Sequence, residues 1–90
     1  MQLRFEKRFF KDYKKLPKHI QKAVYEYIDV LEEVENIDKI TNLKKMKGQK
    51  SFYRIRLSSF RLGFRLNEDH LIIMRVGPRG GFYKDFPPKV

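Results

Sequence analysis

The chain has 90 residues, 41% of them hydrophobic with eight Phe and five Tyr, and a net charge of +10 from 21 Lys and Arg against 11 Asp and Glu. A chain this short makes one domain, residues 1–90, because two separate cores could not both be buried. The absence of cysteine excludes disulfides and thiolate metal sites, and no apolar run approaches the length of a membrane span or of a signal peptide, so a cytoplasmic protein with no membrane partner is expected.

Gln2 to Phe5 reads as a short edge strand that feeds directly into a helix. Phe5, Phe9, Tyr13 and Leu16 then recur at helical spacing among Lys7, Arg8, Lys11, Lys14 and Lys15. Pro17 ends this helix at Leu16 and suits the first turn of the next. The second helix aligns Ile20, Val24, Tyr27, Leu31 and Val34 on one stripe, widened by Ala23 and Ile28, so the pair makes a helical hairpin. Its later half is acidic, with Glu26, Asp29, Glu32, Glu33, Glu35 and Asp38, where carboxylates oppose the helix dipole. A solvated face is the plain explanation; repulsion of polyanions or contact with a partner protein is the sharper one. Asn36 to Lys50 is a connector with Leu43 and Met46 as core anchors and Gly48 as a turn. The period then changes to two, giving strands over Ser51–Leu57, Phe60–Leu66 and Leu71–Val76. Gly77-Pro78 and Gly80-Gly81 break the pattern before the tail Phe82–Pro88. The expected fold class is α+β, in the order β-α-α-β-β-β, with the helical hairpin packed on one face of a small, mainly antiparallel sheet.

From Lys39 to Asn67 the chain carries nine lysines and arginines and no carboxylate, a cluster that suits a polyanion such as RNA or DNA. If Ser58-Ser59 is a two-residue turn, Leu57 faces Phe60, Ile55 faces Leu62 and Tyr53 faces Phe64, all on one apolar side. The other side then pairs Arg56 with Arg61, Arg54 with Gly63, and Phe52 with Arg65. Like charges directly opposite on a sheet cost about 0.2–1 kcal/mol. A phosphate site explains that arrangement better than a merely solvated basic face, because guanidinium forks match phosphate oxygens bidentately. Gly63 is expected to leave a gap beside Arg54 where a ligand could approach. In the third strand alternation leaves two registers open; the preferred one puts Ile72, Met74 and Val76 on the core side and sends Arg75 to the cationic face.

Other chemistries find little support. His19 and His70 are far apart in sequence with no ligand spacing, so no metal is expected, and His70 reads as the entrance to a strand. Gly77-Pro78-Arg79-Gly80-Gly81 lacks the strand–helix context of a nucleotide-binding loop.

Phe9-Phe10-Lys11-Asp12-Tyr13-Lys14-Lys15-Leu16-Pro17, Tyr53-Arg54-Ile55-Arg56-Leu57, Phe60-Arg61-Leu62-Gly63-Phe64 and Arg75-Val76-Gly77-Pro78-Arg79 followed by Phe82-Tyr83 together resemble the RelE/ParE superfamily of toxins from prokaryotic toxin–antitoxin pairs. The resemblance spans nearly the whole chain. RelE-type members of that superfamily enter the ribosomal A site and cut mRNA, without a metal or other cofactor, by attack of the ribose 2′-hydroxyl on the adjacent phosphate. ParE-type members poison DNA gyrase instead. On the RelE pattern the catalytic positions are Arg54, Arg56, Arg61, Arg79 and Tyr83. Lys44, Lys45, Lys47, Lys50, Arg65 and Arg75 become the candidate RNA-backbone contacts, and a RelB-like antitoxin the implied protein partner. Arg61 and Arg79 would grip the scissile phosphate, Arg54 and Arg56 the flanking backbone, and Tyr83 would stack on or hydrogen-bond the neighbouring nucleotide. Two features depart from the pattern. Relatives can carry lysine where this chain has Arg54 and Arg56, and arginine does not lose its proton, so Arg56 is unsuited to be a general base. The tail is also short, so a longer C-terminal helix is not expected. A gyrase inhibitor and a non-catalytic RNA-binding module are the alternatives.

Overall fold

The computed structural model describes residues 1–48 and 51–88. In chain order the elements are β1 (Gln2–Phe5), α1 (Lys7–Lys14), α2 (Lys18–Glu33), a 3₁₀ turn at Ile37–Lys39, β2 (Leu43–Lys45), β3 (Phe52–Leu57), β4 (Phe60–Asn67), β5 (His70–Pro78) and α3 (Arg79–Asp85). The five strands form one sheet in the order β1-β5-β4-β3-β2. β1 lies parallel to β5, and the other pairs are antiparallel.

The helical hairpin covers one face of this sheet, as the two apolar stripes require. Phe9 and Leu16, with Ile20, Val24 and Leu31, are buried against Ile55, Leu62, Phe64, Leu71, Ile73 and Val76. Pro17 sits between the helices in an extended conformation (φ −56, ψ 149) that stops α1 and opens α2. The corner is fastened by two reciprocal bonds: the Tyr13 hydroxyl donates to the Gln21 carbonyl at 3.1 Å, and Gln21 Nε2 donates to the Tyr13 carbonyl at 2.9 Å. The acidic end of α2 has no basic residue in its last turn. The Met1 ammonium supplies the compensating charge there, donating to the carbonyls of Glu32 at 2.9 Å and Val34 at 2.7 Å. Ala23, expected to widen the stripe, is exposed instead.

The hairpin register derived from alternation is the register observed, from Phe52 opposite Arg65 to Leu57 opposite Phe60. The third strand departs from it. Gly63 faces Arg75 and Phe64 faces Ile73, so β5 carries one extra residue there, a β-bulge. The bulge inverts the alternation: Leu71 and Ile73 join the helix-covered core along with Val76, while Met74 packs on the opposite face. Of the three residues that the preferred register put on the core side, only Val76 belongs to that core.

Two elements lie outside the expected order. β2 extends the sheet beyond β3, with Leu43 on the main core. α3 follows Pro78, although Gly80 and Gly81 in its first turn are poor helix formers. Its stability comes from tertiary packing, since Phe82 and Phe86 are buried with Phe52 on the sheet face opposite the helical hairpin, against Met46 and Met74. The gap expected at Gly63 is therefore filled. A Cβ added there would lie 2.7 Å from the Phe82 ring and 2.8 Å from the Phe86 ring, so the glycine admits a helix of the same chain rather than a ligand.

Candidate functional site

Period-two alternation places Arg54, Arg56 and Arg61 on the α3 face, at the end of the β3–β4 hairpin next to the Ser58-Ser59 turn. Across the sheet they form two rows. One runs from Asn42 beside β2 through Arg56 and Arg61 to Gly77; the other runs from Lys44 through Arg54 and Gly63 to Arg75. A third row, Met46, Phe52, Arg65 and Ile72, includes Met46 and Phe52, which pack with Phe82 and Phe86. α3 thus lies over Phe52 and over Gly63 beside Arg54, and leaves the turn end of this face to Arg56 and Arg61.

Arg61 is buried, with 7% of its surface exposed. Its Nη1 donates to the carbonyls of Ser58 at 3.0 Å and Phe60 at 2.9 Å, which ties the guanidinium to the turn. Its Nε is buried without a partner, as is the Nε of Arg54. Buried guanidinium donors left unpaired are costly in a finished surface and are what an anionic ligand would satisfy. Arg54 Nη1 donates to the Asn42 carbonyl at 3.3 Å, and Arg56 Nη2 to Asn42 Oδ1 at 3.3 Å. The Asn42 contact was not anticipated from sequence; a lone asparagine in a connector gives no sign of which strand it will meet.

Arg79 opens α3, and its backbone N–H donates to the Ser59 carbonyl at 3.0 Å, which sets it beside the turn that Arg56 and Arg61 flank. Tyr83 follows one helical turn later, so it shares a flank of α3 with Arg79 while Phe82 and Phe86 face the sheet. Tyr83 is 41% exposed and stands edge-on to the Phe82 ring at 5.1 Å. The five candidate catalytic residues therefore lie on one face, with Arg56, Arg61 and Arg79 beside the turn, Arg54 two residues farther along β3 and Tyr83 one helical turn beyond Arg79.

The candidate backbone contacts divide. Lys44 lies opposite Arg54 on the same face, and Arg65 lies on that face at the far end of β4, roughly 13 Å from Arg61 at the usual strand rise. Lys45 is opposite Tyr53 and so belongs to the other side of the sheet. Lys47 is exposed in the connection after β2. Lys50 falls outside the described residues. Arg75 is engaged internally: its Nε bonds Asp12 Oδ2 at 2.7 Å, its Nη2 bonds Asp12 Oδ1 at 3.3 Å, and its Nη1 lies 3.6 Å from Asp85 Oδ2. Hydrogen bonding to Asp12 raises the pKa of this guanidinium above the ordinary arginine value. These are the ion pairs among the described residues, so Arg54, Arg56, Arg61 and Arg79 keep their charge uncompensated by any carboxylate there.

A cleft of about 350 Å³ between α1 and α3 is lined by Asp12, Leu16, Pro17, Arg75 and Gly77, and by none of the five candidate residues. The cationic site is an open face, suited to a strand lying across it. His19 is exposed in the first turn of α2, and His70 begins β5. No group of three or more His, Cys, Asp or Glu placed to hold a metal occurs among the described residues, and no helix among them is long and apolar enough to cross a membrane.

Known proteins resemble this chain in sequence and fold. The family model described as ParE toxin of type II toxin–antitoxin systems matches residues 3–81. Toxin RelE3 of Methanocaldococcus jannaschii is 37% identical over 91 residues, covering 97% of this chain and all of its own length. Among solved structures, the RelB–RelE antitoxin–toxin complex from Methanococcus jannaschii superimposes with a TM-score of 0.81 at 34% identity, covering 93% of this chain and 99% of its own. The RelE–RelB complex of Pyrococcus horikoshii gives 0.71 at 25% identity, covering 88% and 94%. The family match over most of the chain, the RelE relatives and the common α+β architecture lead to one conclusion: this chain belongs to the RelE/ParE superfamily of toxins.

Proposed function

We propose that the chain is a ribosome-dependent mRNA endoribonuclease of RelE type, held in check by a RelB-like antitoxin. The observation that carries this reading is the group of four arginines on one face, with no carboxylate partner among the described residues and two of their Nε atoms buried and unpaired. RNA in the ribosomal A site would lie across this face. The ribose 2′-oxygen attacks the adjacent phosphorus, the bond to the 5′-oxygen of the next nucleotide breaks, and a 2′,3′-cyclic phosphate and a free 5′-hydroxyl result. The proton lost from the 2′-hydroxyl passes to solvent and the leaving oxygen takes one up, so the step needs no metal.

Each side chain has a role that its chemistry allows. Arg61, tethered to the turn carbonyls, and Arg79, at the start of α3, stabilise the charge growing on the phosphate, a preorganised contribution worth about 10²–10³ in rate per donor. Arg54 and Arg56 hold the backbone on either side of the cut; as permanent cations they act by charge and orientation, not by taking a proton. Tyr83 stacks on the nucleotide next to the cut and fixes the in-line approach. Lys44 extends the binding track past Arg54. The antitoxin assignment rests on relatives whose structures are toxin–antitoxin complexes.

Gyrase inhibition is the second reading, favoured by the description of the matching family model. Induced expression separates the two. The nuclease reading predicts translation arrest with new 5′ ends inside reporter mRNA, mapped by primer extension and lost in Arg79→Ala; intact mRNA with DNA damage would assign the chain to gyrase. A non-catalytic RNA-binding module would bind RNA and give neither product.

A further inference from the structure

We propose that Asn42 is the positioning residue of the cationic face, holding Arg54 and Arg56 in place for an RNA backbone without neutralising either. The inference rests on the RNA-binding reading above and adds to it a residue outside the five candidate catalytic residues.

Asn42 stands in the turn before β2 with φ of 61, in the left-handed region that asparagine tolerates better than other side chains except glycine. This conformation delivers two acceptors to the same place. The backbone carbonyl accepts from the Arg56 N–H at 3.2 Å and from Arg54 Nη1 at 3.3 Å, while the side-chain Oδ1 accepts from Arg56 Nη2 at 3.3 Å. One residue therefore touches both guanidinium groups of β3. The carbonyl bond to the Arg56 N–H continues the β2–β3 ladder and is a structural contact. The bond from Oδ1 serves no ladder, helix or cap; its partner among the described residues is the side chain of Arg56.

The chemical type of the acceptor matters. Arg54 and Arg56 project from one strand face about 7 Å apart, where their charges repel. A carboxylate at position 42 would order them equally well, yet it would form an ion pair and compete with phosphate. The amide orders them and leaves their charge available. Arg75 shows the contrast within the same sheet: its guanidinium is ordered by Asp12 and Asp85, and its charge is spent inside the protein.

Two variants separate the backbone of Asn42 from its side chain and its neutrality. Asn42→Gly keeps the left-handed turn and the carbonyl and removes Oδ1 alone. Asn42→Asp keeps an acceptor in place and adds a charge. Each is compared with the wild-type chain for thermal midpoint, for ordering of the Arg56 side chain by ¹⁵N NMR, for affinity to a short single-stranded RNA oligonucleotide across a salt series, and for cleavage by primer extension. Asn42→Asp should fold as stably as wild type, keep Arg56 ordered, and bind RNA at least five-fold more weakly at low salt, with a log–log salt slope smaller by roughly 0.7, one phosphate contact on a single strand. Asn42→Gly should keep the wild-type slope, because no charge changes, but loosen Arg56 and lower cleavage about ten-fold. Wild-type affinity and slope in Asn42→Asp, or an Arg56 side chain as ordered in Asn42→Gly as in wild type, would overturn the proposal. A wild-type chain that binds the oligonucleotide but leaves mRNA intact overturns the nuclease reading alone, since the binding and NMR results still report on Asn42. A wild-type chain that does not bind it overturns both.

Discussion

Arg61 is the most constrained cation of the site, buried and tied to two turn carbonyls, whereas Arg79 and Tyr83 are exposed on α3. Exposure separates what their replacement does to stability from what it does to chemistry. Arg79→Ala removes a surface side chain while its structural N–H bond to Ser59 remains, so the thermal midpoint should stay near wild type while cleavage falls by about 10²–10³. Tyr83 distinguishes stacking from hydroxyl chemistry. If the ring stacks on a base, Tyr83→Phe keeps near-normal cleavage and Tyr83→Ala loses about ten-fold or more, in line with ~1–3 kcal/mol per stacked base. Equal losses in the two variants, read by primer extension, would assign the work to the hydroxyl.

At the scale of elements, α3 is a short helix with two glycines in its first turn, held by what it packs on. Phe82 and Phe86 lie over Gly63, and both rings are buried, so neither can swing aside to admit a methyl group. Gly63→Ala should destabilise the domain by about 1–3 kcal/mol through overpacking, a fall in thermal midpoint of several degrees at least. Because α3 carries Arg79 and Tyr83, the displaced helix should also lose cleavage at temperatures where the variant is still folded. Cleavage that follows the folded fraction alone would show that α3 keeps its position. Gly63 was legible in the sequence as a place of close approach. Its partner was not: Phe82 and Phe86 are four apart in a tail broken by Gly and Pro, and neither local propensity nor periodicity announces a helix there.

Over the whole molecule, the Asp12–Arg75–Asp85 chain joins α1 to β5 and to α3, with the Asp12 carboxylate also accepting the Val76 N–H at 3.2 Å on the edge of β5 that β1 leaves open. Asp12→Ala leaves Arg75 with Asp85 alone at 3.6 Å and the Val76 edge N–H without its acceptor. A loss on the order of 2–3 kcal/mol in denaturant unfolding is expected, less than for a fully buried pair because Arg75 keeps some contact with water. The same geometry engages Arg75, which the preferred register of the third strand sent to the cationic face, inside the protein: Asp12 is 63 residues away and meets it only through the fold. What the sequence determined by itself was whatever depends on near neighbours. Period-two alternation around Ser58-Ser59 fixes the hairpin register and gathers Arg54, Arg56 and Arg61 on one side, and apolar spacing with Pro17 fixes the helical hairpin. Tertiary structure alone decided the rest: the bulge that inverts β5, the helix over Gly63, the carboxylates that claim Arg75 and the asparagine that meets Arg54 and Arg56. Each of these joins residues distant in the chain, and such a contact forms only when a packed core pays the entropy of bringing them together.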